Sequence, residues 1–239
     1  MLGPGKSTSR EFDKRTILHN HPIFGALRPD LLDRLSSRSI RRNVRSGTTI
    51  FTRGDPGASL VAICSGTVRI SSPSAAGHSA IFNLISEGAV IGEIALLDGR
   101  PRTADATAVT DCELMVIDRR DFVPLLHEQP EIALRIIELL CDRLRQTTEQ
   151  LEDVMFLDLP ARLAKALLHL AKKTKSATGA PKVMLTQSDI SKMIGMSRES
   201  TNKQLRAWQD RKWLLLERGG IVILKPQALA EVASKIETE

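Results

Sequence analysis

The sequence predicts an α+β protein with a strand-rich front, one long helix and a basic helical back. Three observations carry that prediction. Short β-branched runs broken by turn residues fill positions 48–118, a heptad pattern follows Pro130, and positive charge gathers after Leu159. At 239 residues the chain is long enough for one or two domains, and 42% hydrophobic residues leave ample material for a core.

The front is read from its punctuation. The apolar runs Thr48–Phe51, Leu60–Ile63, Thr67–Ile70, Ala80–Leu84, Ala89–Ile91 and Glu113–Ile117 are separated by turn residues such as Gly54-Asp55-Pro56-Gly57 and Ser65-Gly66. Short strands at this spacing argue for a sandwich or barrel rather than a βαβ sheet. Ahead of them, Leu31, Leu32 and Leu35 have helical spacing after Pro29. Between Pro130 and Pro160 there is no Gly or Pro. Ile137, Leu140, Leu144, Thr147, Leu151 and Val154 there alternate in steps of three and four, the seam of a two-stranded coiled coil. Thr147 is out of character: it either sets register or marks a place where something polar binds.

Asp158 is a helix cap with Pro160 in the first turn. The helix it opens runs through Leu163, Leu167, Leu168 and Leu170 to a basic loop at Lys172–Lys175, and Ser176–Pro181 continues as loop. Thr186 with Asp189 resembles a capping box for a short helix ending at Gly195, and Ser197 caps the next, Arg198 to about Asp210. Trp213–Leu216 and Ile221–Leu224 flank Arg218-Gly219-Gly220 as a hairpin.

Charge divides the chain. From Leu159 onward 15 Lys and Arg face 7 Asp and Glu, a net of +8; the remainder, with 19 against 21, carries −2. A basic back suits a polyanion. No apolar run approaches the roughly 20 residues of a membrane span, the N-terminus lacks a secretory pattern, and three scattered cysteines give no disulfide framework or Cys-rich metal site. A cytoplasmic protein is expected. The five histidines fall into no catalytic motif, and His19 with His21 reads as a solvated terminus.

Two segments carry chemistry. In Ile91-Gly92-Glu93-Ile94-Ala95-Leu96 followed by Pro101-Arg102-Thr103-Ala104, a glycine after a strand lets a ligand approach the backbone, and the following helix favours a phosphate. Arg102 offers a planar fork to phosphate oxygens, whereas Glu93, acceptor-only when ionised, suits a sugar hydroxyl. Spacing alone leaves an ordinary loop as the other reading. Further on, two short helices joined at Gly195 form a helix-turn-helix, or else a plain surface corner. In the first case Arg198 can grip guanine and Glu199 can accept from cytosine. Arg198, Thr201, Asn202 and Lys203 are expected to face outward, away from Leu205.

The 17 residues GEIALLDGRPRTADATA resemble the phosphate-binding cassette of cyclic-nucleotide-binding domains. The resemblance implies that Gly92, Glu93, Ile94, Ala95, Arg102 and Thr103 line a ligand site, with Glu93 on the ribose 2′-hydroxyl and Arg102 and Thr103 on the cyclic phosphate. Arg143-Leu144-Arg145-Gln146-Thr147-Thr148 with Phe156-Leu157-Asp158 resembles the dimer helix and hinge of Crp/Fnr regulators of the catabolite-activator type. It implies that Thr147 contacts the base in its own site and Thr148 the base in the partner's. Gly195-Met196-Ser197-Arg198-Glu199 is similar to that family's recognition-helix signature, which implies DNA contacts from Thr186, Gln187, Ser197, Arg198, Glu199, Thr201, Asn202 and Lys203, with Trp213–Leu224 as a wing. The family's catabolite-activator-like members carry Arg where this chain has Lys203; Lys keeps the charge and loses the bidentate fork.

What the resemblance implies, then, is a β-roll (jelly-roll-like) cyclic-nucleotide-binding domain over 1–128, a dimerisation helix over 129–157 and a winged helix-turn-helix over 158–239. The expected protein is a non-enzymatic, homodimeric, allosteric transcription regulator. Its expected ligand is cyclic AMP, with cyclic GMP possible, and its partners are a palindromic double-stranded DNA site and RNA polymerase, not a membrane. Two alternatives stand beside it: a family member answering another signal or active without ligand, and a cyclic-nucleotide-binding regulatory subunit acting on a protein partner.

Overall fold

Alternating side chains on short strands, rather than any single long element, build the front of the molecule. The computed structural model describes residues 14–73, 79–173, 182–183, 185–217 and 219–234. The front comprises α1 (Lys14–His19), α2 (Pro29–Arg38), β1 (Ile40–Val44), β2 (Thr49–Phe51), β3 (Ser59–Ser65), β4 (Thr67–Pro73), β5 (Ser79–Ser86), β6 (Val90–Ile91), α3 (Glu93–Asp98), β7 (Asp105–Ala108), β8 (Cys112–Asp118) and α4 (Arg119–Glu128). Two long helices follow, α5 (Pro130–Phe156) and α6 (Leu159–Lys173). The back holds β9 (Lys182–Val183), α7 (Gln187–Ile194), α8 (Arg198–Asp210), β10 (Leu214–Glu217), β11 (Gly220–Ile223) and α9 (Pro226–Ala233).

The chain forms two compact units. One contains residues up to Ile70 with Leu84–Leu140, and the other Ser71–Asn83 with Cys141 onward. Eight of the strands make two four-stranded sheets, β1-β8-β3-β6, which lies in the first unit, and β2-β7-β4-β5. The central strands β3 and β8 are buried on both faces. Val61, Ile63 and Leu114 join a core with residues of the second sheet, such as Val68 and Ala106. Leu60, Ala62, Met115 and Ile117 turn the other way, into a core covered by α2, α4 and the start of α5. That is the mixed helix-and-sheet class the sequence predicts.

In the second unit, Gln150 Nε2 on α5 donates to Phe82 O of β5 at 3.0 Å, and Asn83 Nδ2 donates to Gln146 Oε1 at 3.3 Å. Asp158 Oδ1 accepts from Ala161 N at 2.8 Å, the expected cap of α6. Leu163 and Leu167 of α6, Ile190 of α7, Leu205 and Trp208 of α8 and Leu229 of α9 are buried to 1% exposure or less. The small sheet β10-β11-β9 completes the unit.

Several expectations need correction. β1, β7, β9, α1, α4 and α9 have no counterpart in the sequence reading. The helix α6 continues through Lys172 and Lys173, where the sequence predicts a loop. Ser176–Pro181 and Arg218 lie outside the described residues. His21 is not solvated: it is 5% exposed and its ring packs on Phe24 at 4.8 Å between centroids. Among the described residues no helix is long and apolar enough to cross a membrane.

Candidate functional site

β6 ends in Gly92, whose φ of +80° is a left-handed conformation that a side chain strains. Space imposes the same choice, because a Cβ at this position would run into Arg102 Nη1. The chain then turns into α3, which closes on Gly99. With six residues, α3 is too short for its amide end to matter much, so the charge of the site rests on side chains. Arg102 is anchored through its backbone as well: its N–H donates to Asp55 O and its carbonyl accepts from Gly54 N, both at 2.9 Å.

The Arg102 side chain is only 5% exposed. Its Nη1 donates to Gly92 O at 2.8 Å, and Nη2 donates to Ser59 O at 2.7 Å and Ser59 Oγ at 3.0 Å. The Phe51 ring lies under the guanidinium, 4.3 Å from Cζ to the centroid. Nε is buried with no hydrogen-bond partner. Burial lowers the pKa of Arg102, and the charges of Glu93 and Asp55 oppose that shift. Asp55 is itself held below the usual carboxylate range, first by the Thr52 backbone N–H, which donates to Oδ2 at 2.8 Å. Glu93 is 2% exposed and Ala95 is buried, while Ile94 and Thr103 face solvent. The structure thus brings Gly92, Glu93 and Arg102 together. It adds Phe51, Asp55 and Ser59, which the sequence reading missed because Gly54-Asp55-Pro56-Gly57 registers there only as a turn.

Thr147 and Thr148 lie on α5 in the second unit, both exposed. Their hydroxyls donate to carbonyls of their own helix, Arg143 O at 2.9 Å and Leu144 O at 3.0 Å. On the same helix Ile137, Leu144, Leu151 and Val154 are each more than half exposed, an apolar seam that the other described residues leave uncovered.

The helix-turn-helix is built by its caps. Thr186 Oγ1 accepts from Asp189 N at 3.1 Å and opens α7. Gly195 closes it at φ +68°. Ser197 Oγ then accepts from Ser200 N at 3.1 Å and opens α8. Thr201, Leu205 and Trp208 form the buried stripe of α8, so Arg198, Glu199, Lys203 and Arg206 face outward. Thr201 corrects the sequence reading. It is fully buried with Oγ1 donating to Ser197 O at 2.9 Å, since positions 201, 205 and 208 share one helical face. Asn202 is half-buried, with a buried Oδ1 lacking a hydrogen-bond partner. Arg206, outward on the same face, was legible from the helical period and missed. Gln187 is half-buried at the start of α7. Among the described residues no cluster of His, Cys, Asp or Glu is placed to hold a metal ion.

Comparison with known proteins agrees with this division of labour. Residues 41–129 match the cyclic nucleotide-binding domain family, and residues 161–232 match the Crp-like helix-turn-helix domain family. The chain is 33% identical to the CRP-like cAMP-activated global transcriptional regulator of Mycobacterium tuberculosis, covering 91% of this chain and 98% of that one. It is 31% identical to the cyclic AMP receptor protein of Thermus thermophilus, over 89% and 96% of the two chains. Among solved structures, the c-di-GMP responsive global regulator CLP of Xanthomonas campestris superposes with a TM-score of 0.73 at 24% identity, covering 82% of this chain and 99% of that one; at this identity the likeness shows the fold alone. With a cyclic-nucleotide-binding domain ahead of a DNA-binding helix-turn-helix, and a third of its residues shared with regulators it spans almost end to end, this chain is a transcription regulator, not an enzyme, and belongs to the Crp/Fnr family.

Proposed function

We propose that the protein is a homodimeric, cyclic-AMP-responsive regulator that reads a palindromic DNA site. The observation that carries this reading is the buried Arg102 guanidinium beside Glu93, with its Nε lacking a partner. A desolvated cation with an unused N–H is a receptor for an anion, and an adjacent carboxyl group favours an anion that also offers a hydroxyl. A cyclic nucleotide meets both demands: Arg102 and Thr103 take the phosphate, Glu93 the ribose hydroxyl, and Gly92, Ile94 and Ala95 the space around them. The names of the two curated relatives favour cyclic AMP over cyclic GMP.

Thr147 and Thr148 receive the base, one from each protomer, across the seam exposed on α5. Their hydroxyls are satisfied by their own helix, so the base competes with local bonds. Ligand then favours one of two dimer arrangements, and the shift is bounded by its differential affinity for them. In that arrangement the recognition helices α8 sit about 34 Å apart, one turn of DNA. Arg198, Glu199 and Lys203 read base edges while Thr186, Gln187, Ser197 and Asn202 support or contact the backbone; Thr201 takes the structural part. Recruitment of RNA polymerase completes the proposed activity.

Calorimetric titration with cyclic AMP and cyclic GMP, paired with mobility shifts on a palindromic GTGA-type duplex, tests the reading. The expected result is heat with cyclic AMP, ligand-dependent retardation of the duplex, and loss of specific retardation in Arg198→Ala at unchanged ligand affinity. No heat with either nucleotide defeats the ligand assignment. Specific binding retained by Arg198→Ala defeats the assignment of α8.

A further inference from the structure

A guanidinium carries one N–H on Nε and two on each Nη, and it grips an oxyanion in bidentate fashion along one of two edges, Nη1–Nη2 or Nε–Nη2. Both edges run through Nη2. In Arg102, Nη2 donates to both acceptors of Ser59, its carbonyl at 2.7 Å and its hydroxyl at 3.0 Å. Nη1 donates to Gly92 O at 2.8 Å. The Phe51 ring lies against one face of the guanidinium, and the N–H groups point from its edges. Ser59 therefore engages the nitrogen that both bidentate edges share.

The two Ser59 acceptors differ in kind. The carbonyl belongs to the first residue of β3, whose Cα pairs in register with Asp118 of β8. It is fixed by the sheet. The hydroxyl hangs on one rotatable bond and is free to turn away. We infer that the Ser59 hydroxyl is a built-in competitor for Arg102, occupying the Nη2 donor that a phosphate oxygen needs and so setting the ligand concentration at which the site fills. This inference rests on the reading of Arg102 as the anion receptor. Its sign is the opposite of a supporting role: a residue that merely held Arg102 in place would, when removed, weaken binding. Ser59 Oγ removed leaves the carbonyl, the Gly92 acceptor and the Phe51 ring to hold the guanidinium, and leaves Nη2 with one acceptor in place of two.

The test is calorimetric titration of cyclic AMP into full-length wild type, Ser59→Ala and Ser59→Thr, with ligand-free melting curves to show that each variant is folded. Ser59→Ala is expected to bind about three- to tenfold more tightly, within the range of one charge-assisted hydrogen bond no longer displaced, and Ser59→Thr, which keeps the hydroxyl, as wild type does. Equal or weaker binding by Ser59→Ala, or tightening by Ser59→Thr equal to that by Ser59→Ala, overturns the inference while leaving the nucleotide assignment standing. A wild type that binds no cyclic nucleotide removes the assignment itself, and the competitor with it.

Discussion

His21 shows how much one side chain can depend on its protonation state. Its Nδ1 accepts from Ile23 N at 3.2 Å, which puts the ring proton on Nε2, 3.4 Å from Ala89 O. A charged ring has no lone pair for Ile23. Burial is the larger influence and lowers the pKa from 6.5, against a smaller upward pull from the Ala89 carbonyl. The unfolded chain therefore binds this proton more readily than the folded one, so stability from His21 is complete above pH 6.5 and declines as pH falls below it. Denaturant midpoints measured between about pH 7 and pH 5 are expected to fall for wild type and to fall less for His21→Gln. Parallel slopes for the two proteins contradict the account. None of this was visible in the sequence, where a histidine two positions from another near a chain terminus carries no sign of burial. Arg102 and Glu93 were legible because a short motif fixes them relative to Gly92. Phe51, Asp55 and Ser59 were not, because they approach Arg102 only once β2 and β3 are folded beside it.

At the scale of the element, legibility follows from whether the local sequence carries its own reason. The helices α7 and α8 begin and end where the sequence predicts because Thr186, Ser197 and Gly195 satisfy helix ends with groups a few residues away. Ser197→Ala removes the acceptor for Ser200 N at the start of α8 and is expected to cost about 1 kcal/mol. A chemical-denaturation curve of the full chain checks this, and an unchanged midpoint refutes it. Elements without such local signals were missed. β1 reads IRRNV and only Val44 is buried, so no alternation marks it; it exists because β8 offers a partner at every residue from Ile40 to Val44. β7 reads DATA and buries two alanines, too small to register as a strand. α4 holds Pro124 inside a helix whose buried Phe122 and Leu125 meet the core, a case of packing overriding a local breaker.

For the whole molecule, the exposed seam of α5 sets the expectation. Ile137, Leu144, Leu151 and Val154 lie on one stripe with heptad spacing, an apolar surface that a second copy would cover. Leu144→Glu combined with Leu151→Glu is expected to halve the mass measured by light scattering while leaving helix content unchanged. A wild type that already runs as one chain refutes the dimer. The seam was readable in advance because a heptad is a local pattern. The boundary between the units falls inside α5, after Leu140, well past the bend at Gln129 where that helix begins. Ile132 and Ile136 are 0% and 2% exposed in the same core as Leu31, Met115 and Phe122. A descendant that traded its DNA-reading half with a cousin by crossing over at the bend would have to seat foreign side chains in two sockets of its sensor, whereas a splice partway along the rod would keep the front half whole.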